Sequence, residues 1–403
     1  MTGPLRVKRL DLHTTQGASG ALLRESQFVV RYTDEALDRP ELAISLTMPP
    51  RPEGWRWNEL PPALAMNLPE GFLLGRVIDR YRKTMDIEDM NLLAVTSTPT
   101  AGRVWASPPG EGAGAPQQQS VALRDILAYR GTEDLFDELL EHYATSSISG
   151  VQPKVVVPER PVVHDAAALE RSAIKVPDLI VKAAGVEYPG LAENEYICMS
   201  IARHVGLETP DFWLSEDRKL FVIRRFDVGP TGYLGFEDLA ALTGKHPGKK
   251  YESSYADVAK AIGDFTAPTL RSASLETFFR LIVMTCVIRN GDAHLKNFGI
   301  LYGDPVTAAH DARLSPVYDL VCSTVYLPRD VLALSLLGSK AWPDRRTLER
   351  FGREACGVKN ASATIHEVVE KALTYEPEDP GAEMWKKIRA EMIAATQTLR
   401  ARK

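Results

Sequence analysis

An aspartate and an asparagine five positions apart are the residues of this chain best suited to chemistry. They are Asp292 and Asn297, in the stretch Asn290-Gly291-Asp292-Ala293-His294-Leu295-Lys296-Asn297. An aspartate can orient a hydroxyl group and accept its proton, and an amide oxygen suits the hard cation Mg²⁺. The same pattern is also compatible with a polar turn at the end of a helix.

The sequence around this pair predicts a buried helix, a short loop and a strand. Apolar residues recur at helical spacing from Leu275 to Cys286, with Ser274 as a candidate N-cap, and Asn290-Gly291 reads as the helix stop. The run 298–302 reads as a strand. The spacing of Asp292 and Asn297 on such a loop is that of the catalytic aspartate and metal-binding asparagine of protein kinases.

A third acidic residue follows that strand. Asp319 ends the sequence Ser315-Pro316-Val317-Tyr318-Asp319. Phosphoryl transfer requires a second metal ligand besides the asparagine, and a carboxylate at this position can supply it. We therefore expect Asp319 to lie near Asn297.

Two upstream segments have residue types that suit phosphate groups. The small-residue loop 146–153 leads through Lys154 into the strand-like Val155-Val156-Val157, so its backbone N–H groups can face phosphate oxygens, although a flexible Ser/Gly turn is the alternative. Lys182 ends the predicted strand 174–181 and resembles a phosphate-binding lysine. Glu193 or Glu195, at the start of the next helix, can form an ion pair with Lys182. The alternative is that either glutamate is placed there because the helix dipole favours a negative charge at a helix N-terminus.

A further strand, 220–226, carries candidate groups for an adenine ring. It ends in Arg224-Arg225-Phe226, where backbone groups and the Phe226 ring can hold a nucleobase. A core role for Phe226 is equally compatible with the sequence.

Composition narrows the class of protein. The 403 residues include 44% hydrophobic and 25% charged residues, and the net charge of −5 gives no global attraction to nucleic acid. The four cysteines are far apart and no run of apolar residues can span a bilayer. These features predict a cytoplasmic protein.

In the rest of the chain, the sequence pattern predicts β structure near the N-terminus and helices further along. Strands are expected at Val29-Val30 and in the alternating run 42–48, and a helix after Glu70. The Gly-, Pro- and Gln-rich run 108–119 predicts a linker, followed by helices over 123–129 and 133–143. Most of the chain beyond residue 230 reads as helical.

Taken together, the motifs resemble the HipA family of toxin–antitoxin serine/threonine kinases. The matching pieces occur in the family's order: SISGVQPK at 147–154, IVK at 180–182, ENEY at 193–196, RFD at 225–227, EDL at 237–239, KYES at 250–253, NGDAHLKNF at 290–298 and SPVYDL at 315–320. The resemblance implies an α+β, protein-kinase-like fold with two lobes. Its expected parts are an N-terminal β-rich subdomain (1–120), an ATP-binding N lobe (121–230) and a mainly helical catalytic C lobe (231–403).

The resemblance also implies roles for individual residues. Asp292 would be the catalytic base, and Asn297 and Asp319 the Mg²⁺ ligands. The residues expected to contact ATP are Ser149, Gly150, Val151, Gln152, Pro153, Lys154, Lys182, Arg224, Arg225, Phe226, His294, Lys296 and Tyr318. Ser147 aligns with the serine that members of the family autophosphorylate, and Ser149 is a second candidate.

The function implied is that of an ATP- and Mg²⁺-dependent kinase that acts as a toxin. Its expected protein substrate is an aminoacyl-tRNA synthetase, of the glutamyl type in the best-known member, and its expected partner is a HipB-like helix-turn-helix antitoxin that binds operator DNA. Two alternatives stay open at this point. One is a small-molecule phosphotransferase of the aminoglycoside-kinase type, and the other is a pseudokinase that only binds its partners.

Overall fold

The computed structural model describes residues 6–82, 85–96, 101–110, 122–128, 130, 154–157, 178–183 and 187–400. The chain divides into two compact units. The first comprises Met1–Gly185, Phe212–Glu237 and Asp304–Val306, and the second comprises Val186–Asp211, Asp238–Gly303 and Thr307–Lys403. The expected α+β class is confirmed, since both helices and sheets are present.

The first unit begins with an antiparallel sheet of five strands in the order β4-β3-β2-β1-β5. Hydrophobic side chains on one face of these strands pack with the helices that follow. The strands are β1 (Arg9–Thr14), β2 (Gly17–Arg24), β3 (Phe28–Tyr32), β4 (Trp55–Trp57) and β5 (Val104–Ser107). The helices of this region are α1 (Asp34–Asp38), α2 (Pro62–Ala65), α3 (Gly71–Tyr81), α4 (Asp89–Thr96) and α5 (Leu123–Ala128).

A second sheet in this unit carries one of the predicted phosphate-binding residues. Its four antiparallel strands have the order β6-β7-β9-β8. In the register, Lys182 faces Lys154 on one neighbouring strand and Phe221 on the other. The strands are β6 (Lys154–Val157), β7 (Leu179–Ala183), β8 (Phe212–Leu214) and β9 (Leu220–Arg224), with the hairpin of β10 (Val228–Gly229) and β11 (Gly232–Tyr233) after them.

One apolar core serves both of these sheets. It contains Leu10 and Leu22 from the first sheet, Val181 and Val222 from the second, and Ile126 from α5, all buried. The β-rich start of the chain is therefore an integral part of the first unit.

The predicted strand over 42–48 is wrong. Pro40–Leu42 forms a turn of 3₁₀ helix, and no strand of the described chain includes residues 43–48. The apparent alternation is misleading because Ala43 and Ser45 are buried as well. Side chains hold this segment in place of a neighbouring strand: the Glu237 carboxylate accepts hydrogen bonds from Ser45 Oγ at 2.5 Å and from the Leu46 N–H at 2.8 Å.

The second unit is mainly helical. Strand β12 (Gly235–Asp238) lies where the chain enters this unit, and β13 (Gly299–Tyr302) pairs antiparallel with β14 (Arg313–Leu314). The helices are α6 (Leu191–His204), α7 (Leu239–Leu242), α8 (Tyr255–Phe265), α9 (Arg271–Val287), α10 (Ala308–Asp311), α11 (Arg345–Glu354), α12 (Ala361–Leu373) and α13 (Glu383–Leu399). None of the helices in the described ranges combines the length and apolar composition needed to cross a membrane.

Helix α9 is the predicted buried helix, but both of its ends differ from the prediction. It begins at Arg271, so Ser274 is not the N-cap; Ser274 is buried, and its hydroxyl accepts a hydrogen bond from the Leu314 N–H at 3.3 Å. At the other end Arg289 takes a left-handed conformation (φ 55°), and the Asn290 N–H donates to the Thr285 carbonyl. This is a Schellman ending, in which Arg289 has the position usually given to glycine.

All four cysteines are buried and reduced. Burial raises the pKa of the Cys286 and Cys356 thiols to about 12 and of Cys322 to about 11, and also raises the pKa of Cys198. The thiols therefore behave as small apolar core groups.

Candidate active site

Hydrogen bonds to the backbone fix the loop that follows α9. The Asn290 side-chain oxygen accepts from the Asp292 N–H at 3.0 Å, as an Asx turn does. The Gly291 N–H donates to Ser323 Oγ at 2.8 Å, and Ser323 Oγ donates to the Arg289 carbonyl at 3.0 Å. Ser323 thus bridges the two sides of the turn, and Asp292 leaves it in a defined position.

Gly291 is required by close contact and not by backbone conformation. A Cβ atom at this position would overlap Asp330 Oδ2 and lie 2.7 Å from the Val331 carbonyl oxygen. Any other residue must push the loop or the segment around Asp330 away.

The Asp292 carboxylate combines exposure to solvent with an altered acidity. The protein around the carboxyl group limits its hydration and raises the pKa of Asp292 to about 6; a hydrogen bond from Tyr251 lowers that pKa, and the negative charge of Asp319 raises it. Tyr251 Oη donates to Asp292 Oδ1 at 2.6 Å. A carboxylate of this acidity is ionised at neutral pH and remains basic enough to accept a proton.

Asn297 and Asp319, the two predicted metal ligands, are in direct contact. Asn297 Nδ2 donates to Asp319 Oδ2 at 2.9 Å, and Asn297 Oδ1 accepts from the His294 N–H at 3.0 Å. Asn297 ends the 3₁₀ turn Leu295–Asn297, and one residue, Phe298, separates it from β13. A carboxylate and an amide oxygen are ligand types that Mg²⁺ prefers, so these two residues fit by their chemistry the ion that the sequence predicts. In this structure the amide nitrogen of Asn297 faces Asp319 and its oxygen faces the His294 N–H.

Three other residues brace this loop. The Lys296 ammonium group is buried 3.8 Å from Asp238 Oδ2, and Tyr318 Oη donates to the Lys296 carbonyl oxygen. Burial raises the pKa of Tyr318 well above its ordinary value, so the phenol remains a donor. His294 is buried with its ring edge-to-face against Tyr251, at 5.1 Å between centroids. The predicted contacts of Lys296, Tyr318 and His294 with ATP stay predictions.

Helix α6 holds the segment that contains Ser323. The buried Asn194 side chain accepts from the Cys322 N–H at 2.8 Å and donates to the Cys322 carbonyl at 3.1 Å. Asn194 therefore binds the backbone of Cys322 as a neighbouring strand would. Glu195, a predicted partner of Lys182, is buried on this helix, and Glu193 is half-buried on it.

The first unit carries the other predicted nucleotide residues. Lys182 is buried on β7, with its ammonium nitrogen 5.6 Å from the centroid of the Phe221 ring. Arg224 forms an ion pair with Asp178 at 3.0 Å, and the Phe226 ring packs edge-to-face on Phe236. These contacts leave their predicted nucleotide roles untested.

Arg225 has a structural partner in the same unit. Its buried guanidinium group lies 2.6 Å from Asp227 Oδ2, and Asp227 also accepts from the Gly102 N–H at 2.6 Å. The ion pair and the burial give the Arg225 side chain a structural role, and its predicted contact with a nucleotide stays a prediction.

Six predicted residues lie outside the described part of the chain: Ser147, Ser149, Gly150, Val151, Gln152 and Pro153. The predicted linker beyond Gly110 and the predicted helix 133–143 lie outside it as well. Lys154 opens β6, and the structure describes its backbone.

Tyr251 was not among the predicted site residues. The sequence contained a signal, because Tyr251 belongs to the KYES motif at 250–253 that the family resemblance includes. The motif alone indicated no role for the phenol, because the residue that the phenol contacts, Asp292, lies 41 positions further along the chain.

Two family models match this chain. The model described as the HipA-like C-terminal domain matches residues 146–375, which is more than half of the chain, and the HipA N-terminal domain matches residues 10–107. The chain belongs to the HipA family. The second match agrees with the sequence resemblance of the β-rich N-terminal region to the HipA subdomain.

Curated relatives of this HipA-family chain carry kinase names. "Putative kinase Y4dM" of Sinorhizobium fredii is 33% identical over 177 residues, which are 40% of this chain and 41% of that protein. A "Putative kinase" of Haemophilus influenzae is 31% identical over 47% of this chain and 57% of that protein. "Putative kinase Y4mE" of Sinorhizobium fredii is 25% identical over 79% of this chain and 78% of its own length. The chain thus spans about half the length of the first two.

A solved structure has the same fold. A chain from the Shewanella oneidensis MR-1 toxin–antitoxin complex of HipA, HipB and operator DNA matches 97% of this chain and 97% of its own length, with a TM-score of 0.73 and 18% identity. The predicted HipA-type fold is therefore confirmed.

Proposed function

We propose that this HipA-family chain is an ATP- and Mg²⁺-dependent serine/threonine protein kinase. One observation carries the proposal: a carboxylate of raised pKa, Asp292, lies on a fixed loop near the contacting pair Asn297 and Asp319. A base beside an amide and carboxylate pair is the arrangement that phosphoryl transfer to a hydroxyl requires. The kinase names of the relatives support the same reaction class.

Each group would act mainly by position and charge. Asp292 would orient the acceptor hydroxyl and take its proton, while Lys182 would hold phosphate oxygens. Asn297 and Asp319 would hold Mg²⁺, which when bound offsets the negative charge of the phosphates. Residues 149–154 would contribute backbone N–H groups to the phosphates, and Arg224–Phe226 would lie beside the adenine.

The biological role that we propose is that of a toxin that slows translation. The family membership and the Shewanella complex support a toxin–antitoxin system. We propose an aminoacyl-tRNA synthetase, such as glutamate–tRNA ligase, as the protein substrate. Phosphorylation of that cytoplasmic enzyme would halt aminoacylation and favour dormancy.

The proposed partner is a HipB-like helix-turn-helix antitoxin. The Shewanella complex contains HipA, HipB and operator DNA, which supports such an assembly here. The net charge of −5 favours DNA contact made mainly by the antitoxin.

Autophosphorylation on Ser147 or Ser149 is proposed as the off switch. A phosphate adds about −1.5 to −2 charges. Placed beside a loop that binds ATP phosphates, that charge would repel them and weaken nucleotide binding.

Intact and peptide mass spectrometry after incubation with ATP and Mg²⁺ tests the kinase assignment. The wild-type chain, first treated with phosphatase, should gain phosphate on Ser147 or Ser149, because Asp292 is available as the base. The Asp292→Asn variant keeps the size of the side chain and should gain only a small fraction of that phosphate in the same time. The same incubation is repeated with an added aminoacyl-tRNA synthetase. If neither the wild-type chain nor the synthetase gains phosphate, the kinase assignment is contradicted.

A further inference from the structure

The segment 250–254 is attached to the catalytic loop at three points. The Lys250 carbonyl oxygen accepts from the Leu295 N–H at 3.2 Å. The Tyr251 ring packs edge-to-face on His294, and Tyr251 Oη donates to Asp292 Oδ1 at 2.6 Å. The three contacts bracket the loop from Asp292 to Leu295.

A helix start fixes the other end of this segment. Ser254 is the N-cap of α8: its hydroxyl accepts from the Asp257 N–H at 3.1 Å, and the Asp257 carboxylate accepts from the Ser254 N–H at 3.1 Å. This capping box is a rigid beginning for a helix, only three residues beyond Tyr251. The phenol therefore reaches Asp292 from an anchored backbone.

The hydrogen bond from Tyr251 gives the two oxygens of the Asp292 carboxylate different roles. Oδ1 accepts from the tyrosine, and no group within the described ranges donates a hydrogen bond to Oδ2. A carboxylate bound through one oxygen loses rotational freedom about its last bond, so the second oxygen points in a defined direction. A general base needs an oxygen held in a defined direction, because proton transfer depends on the geometry of the hydrogen bond to the acceptor hydroxyl.

We propose that Tyr251 is a positioning residue for the phosphoryl-transfer reaction, holding Asp292 Oδ1 so that Oδ2 meets the acceptor hydroxyl. The proposal rests on the proposed kinase function. Tyr251 keeps its own proton throughout. The proton of the acceptor hydroxyl goes to Asp292, the acceptor oxygen forms a bond to the γ-phosphorus of ATP, and the bond from that phosphorus to ADP breaks, so that ADP leaves with the electron pair. In this proposal the tyrosine hydroxyl acts on the reaction through Asp292.

Single-turnover kinetics of the full chain test this role. The rate at which the dephosphorylated protein incorporates phosphate is measured against ATP concentration at saturating Mg²⁺. Tyr251→Phe retains the ring contact with His294 and removes only the hydroxyl, so we expect the maximal rate to fall about tenfold. The half-saturating ATP concentration and the thermal midpoint should stay unchanged. Tyr375→Phe, which removes a phenol hydroxyl packed near His204 and Trp385, is the matched control and should keep the wild-type rate.

A double variant separates positioning from a general structural role. If Tyr251 acts only through Asp292, adding Tyr251→Phe to Asp292→Asn should leave the residual rate unchanged. A wild-type maximal rate in Tyr251→Phe, a change confined to ATP affinity, or a further loss in the double variant overturns the proposal while the kinase function stands. A wild-type chain that transfers no phosphate overturns both.

Discussion

At the scale of single residues, the candidate site depends on backbone groups as much as on its carboxylates. Ser323 holds Gly291, Asn290 holds Asp292, and Asn297 binds the N–H of His294. The position of each reactive group is therefore set before any ligand binds. Such preorganisation is what charge-stabilising catalysis requires.

Gly291→Ala tests how tightly this loop is packed. The added methyl group would overlap Asp330 Oδ2, so the loop must shift, and we expect phosphate incorporation to fall at least about tenfold. The same strain should lower the free energy of unfolding by about 1–3 kcal/mol. Single-turnover rates and urea unfolding measure the two effects.

Gly263→Ala is the matched control. Gly263 lies within α8, and a Cβ atom there meets no neighbouring atom within 4 Å. Alanine should stabilise this helix by up to about 1 kcal/mol and leave the rate unchanged. Equal behaviour of the two glycine variants would show that the contact with Asp330 is unimportant.

At the scale of elements, α6 supports the site through one side chain. Asn194 binds both backbone groups of Cys322, and the next residue, Ser323, holds the turn before Asp292. Asn194 belongs to the ENEY motif. In this structure the asparagine between the two glutamates of that motif serves the loop geometry of the second unit.

Replacing Asn194 by alanine should destabilise the second unit markedly. The change leaves a buried N–H and a buried carbonyl of Cys322 without their partner, at a cost of about 2–4 kcal/mol in unfolding free energy. Urea unfolding followed by tryptophan fluorescence gives the value. Ser200→Ala removes a hydroxyl that bonds within α6 to the Tyr196 carbonyl, so it should cost less than about 1 kcal/mol. Comparable losses in both variants would contradict the role given to Asn194.

The sequence predicted the elements whose signal is local and long. Helices α3, α6 and α9 follow from apolar periodicity, and Asn297 meets Asp319 as the motif spacing implies. The region 42–48 could not be predicted, because its partner is the Glu237 carboxylate nearly 200 positions away. Tyr251 was missed for the same physical reason: its role depends on a contact between distant parts of the chain.

At the scale of the whole molecule, the predicted functions are divided between two units. The proposed base and metal ligands, Asp292, Asn297 and Asp319, belong to the helical unit, whereas Lys182 and Arg224, the proposed nucleotide contacts, belong to the sheet-rich unit. Each unit has its own buried core, so the stability of each can be measured through variants within it. A loss of activity must be compared with the stability of the unit that carries the substitution.

The acid sensitivity of the helical unit should depend in part on Glu367. This carboxylate on α12 accepts two hydrogen bonds at 2.9 Å from Arg280 of α9 and one at 2.8 Å from Lys371. The Arg280 and Lys371 contacts lower the pKa of Glu367 from 4.5 to about 2. A lowered pKa stabilises the fold above pH 4.5, and this contribution is lost as the pH falls towards 2.

Glu367→Gln should therefore lower stability at pH 7 and lose its effect in acid. Because the pair is partly exposed, we expect less than about 1 kcal/mol. Thermal midpoints at pH 7 and at pH 2.5 measure the difference, which should shrink at the lower pH. Glu354→Gln removes an exposed ion pair with Arg350 at 3.9 Å and should have no effect at either pH. A difference between wild type and Glu367→Gln that is the same at both pH values would contradict this assignment.

The four buried thiols have a practical consequence for spectroscopy. Alkylating dyes react with exposed thiolates, and burial together with the raised pKa keeps Cys198, Cys286, Cys322 and Cys356 out of reach in the folded protein. One cysteine introduced on an exposed loop would therefore be the single fast-labelling position of the native chain. Two such cysteines would carry a fluorophore pair for distance measurements without prior removal of the natural cysteines, and slow labelling of those four would report on transient unfolding.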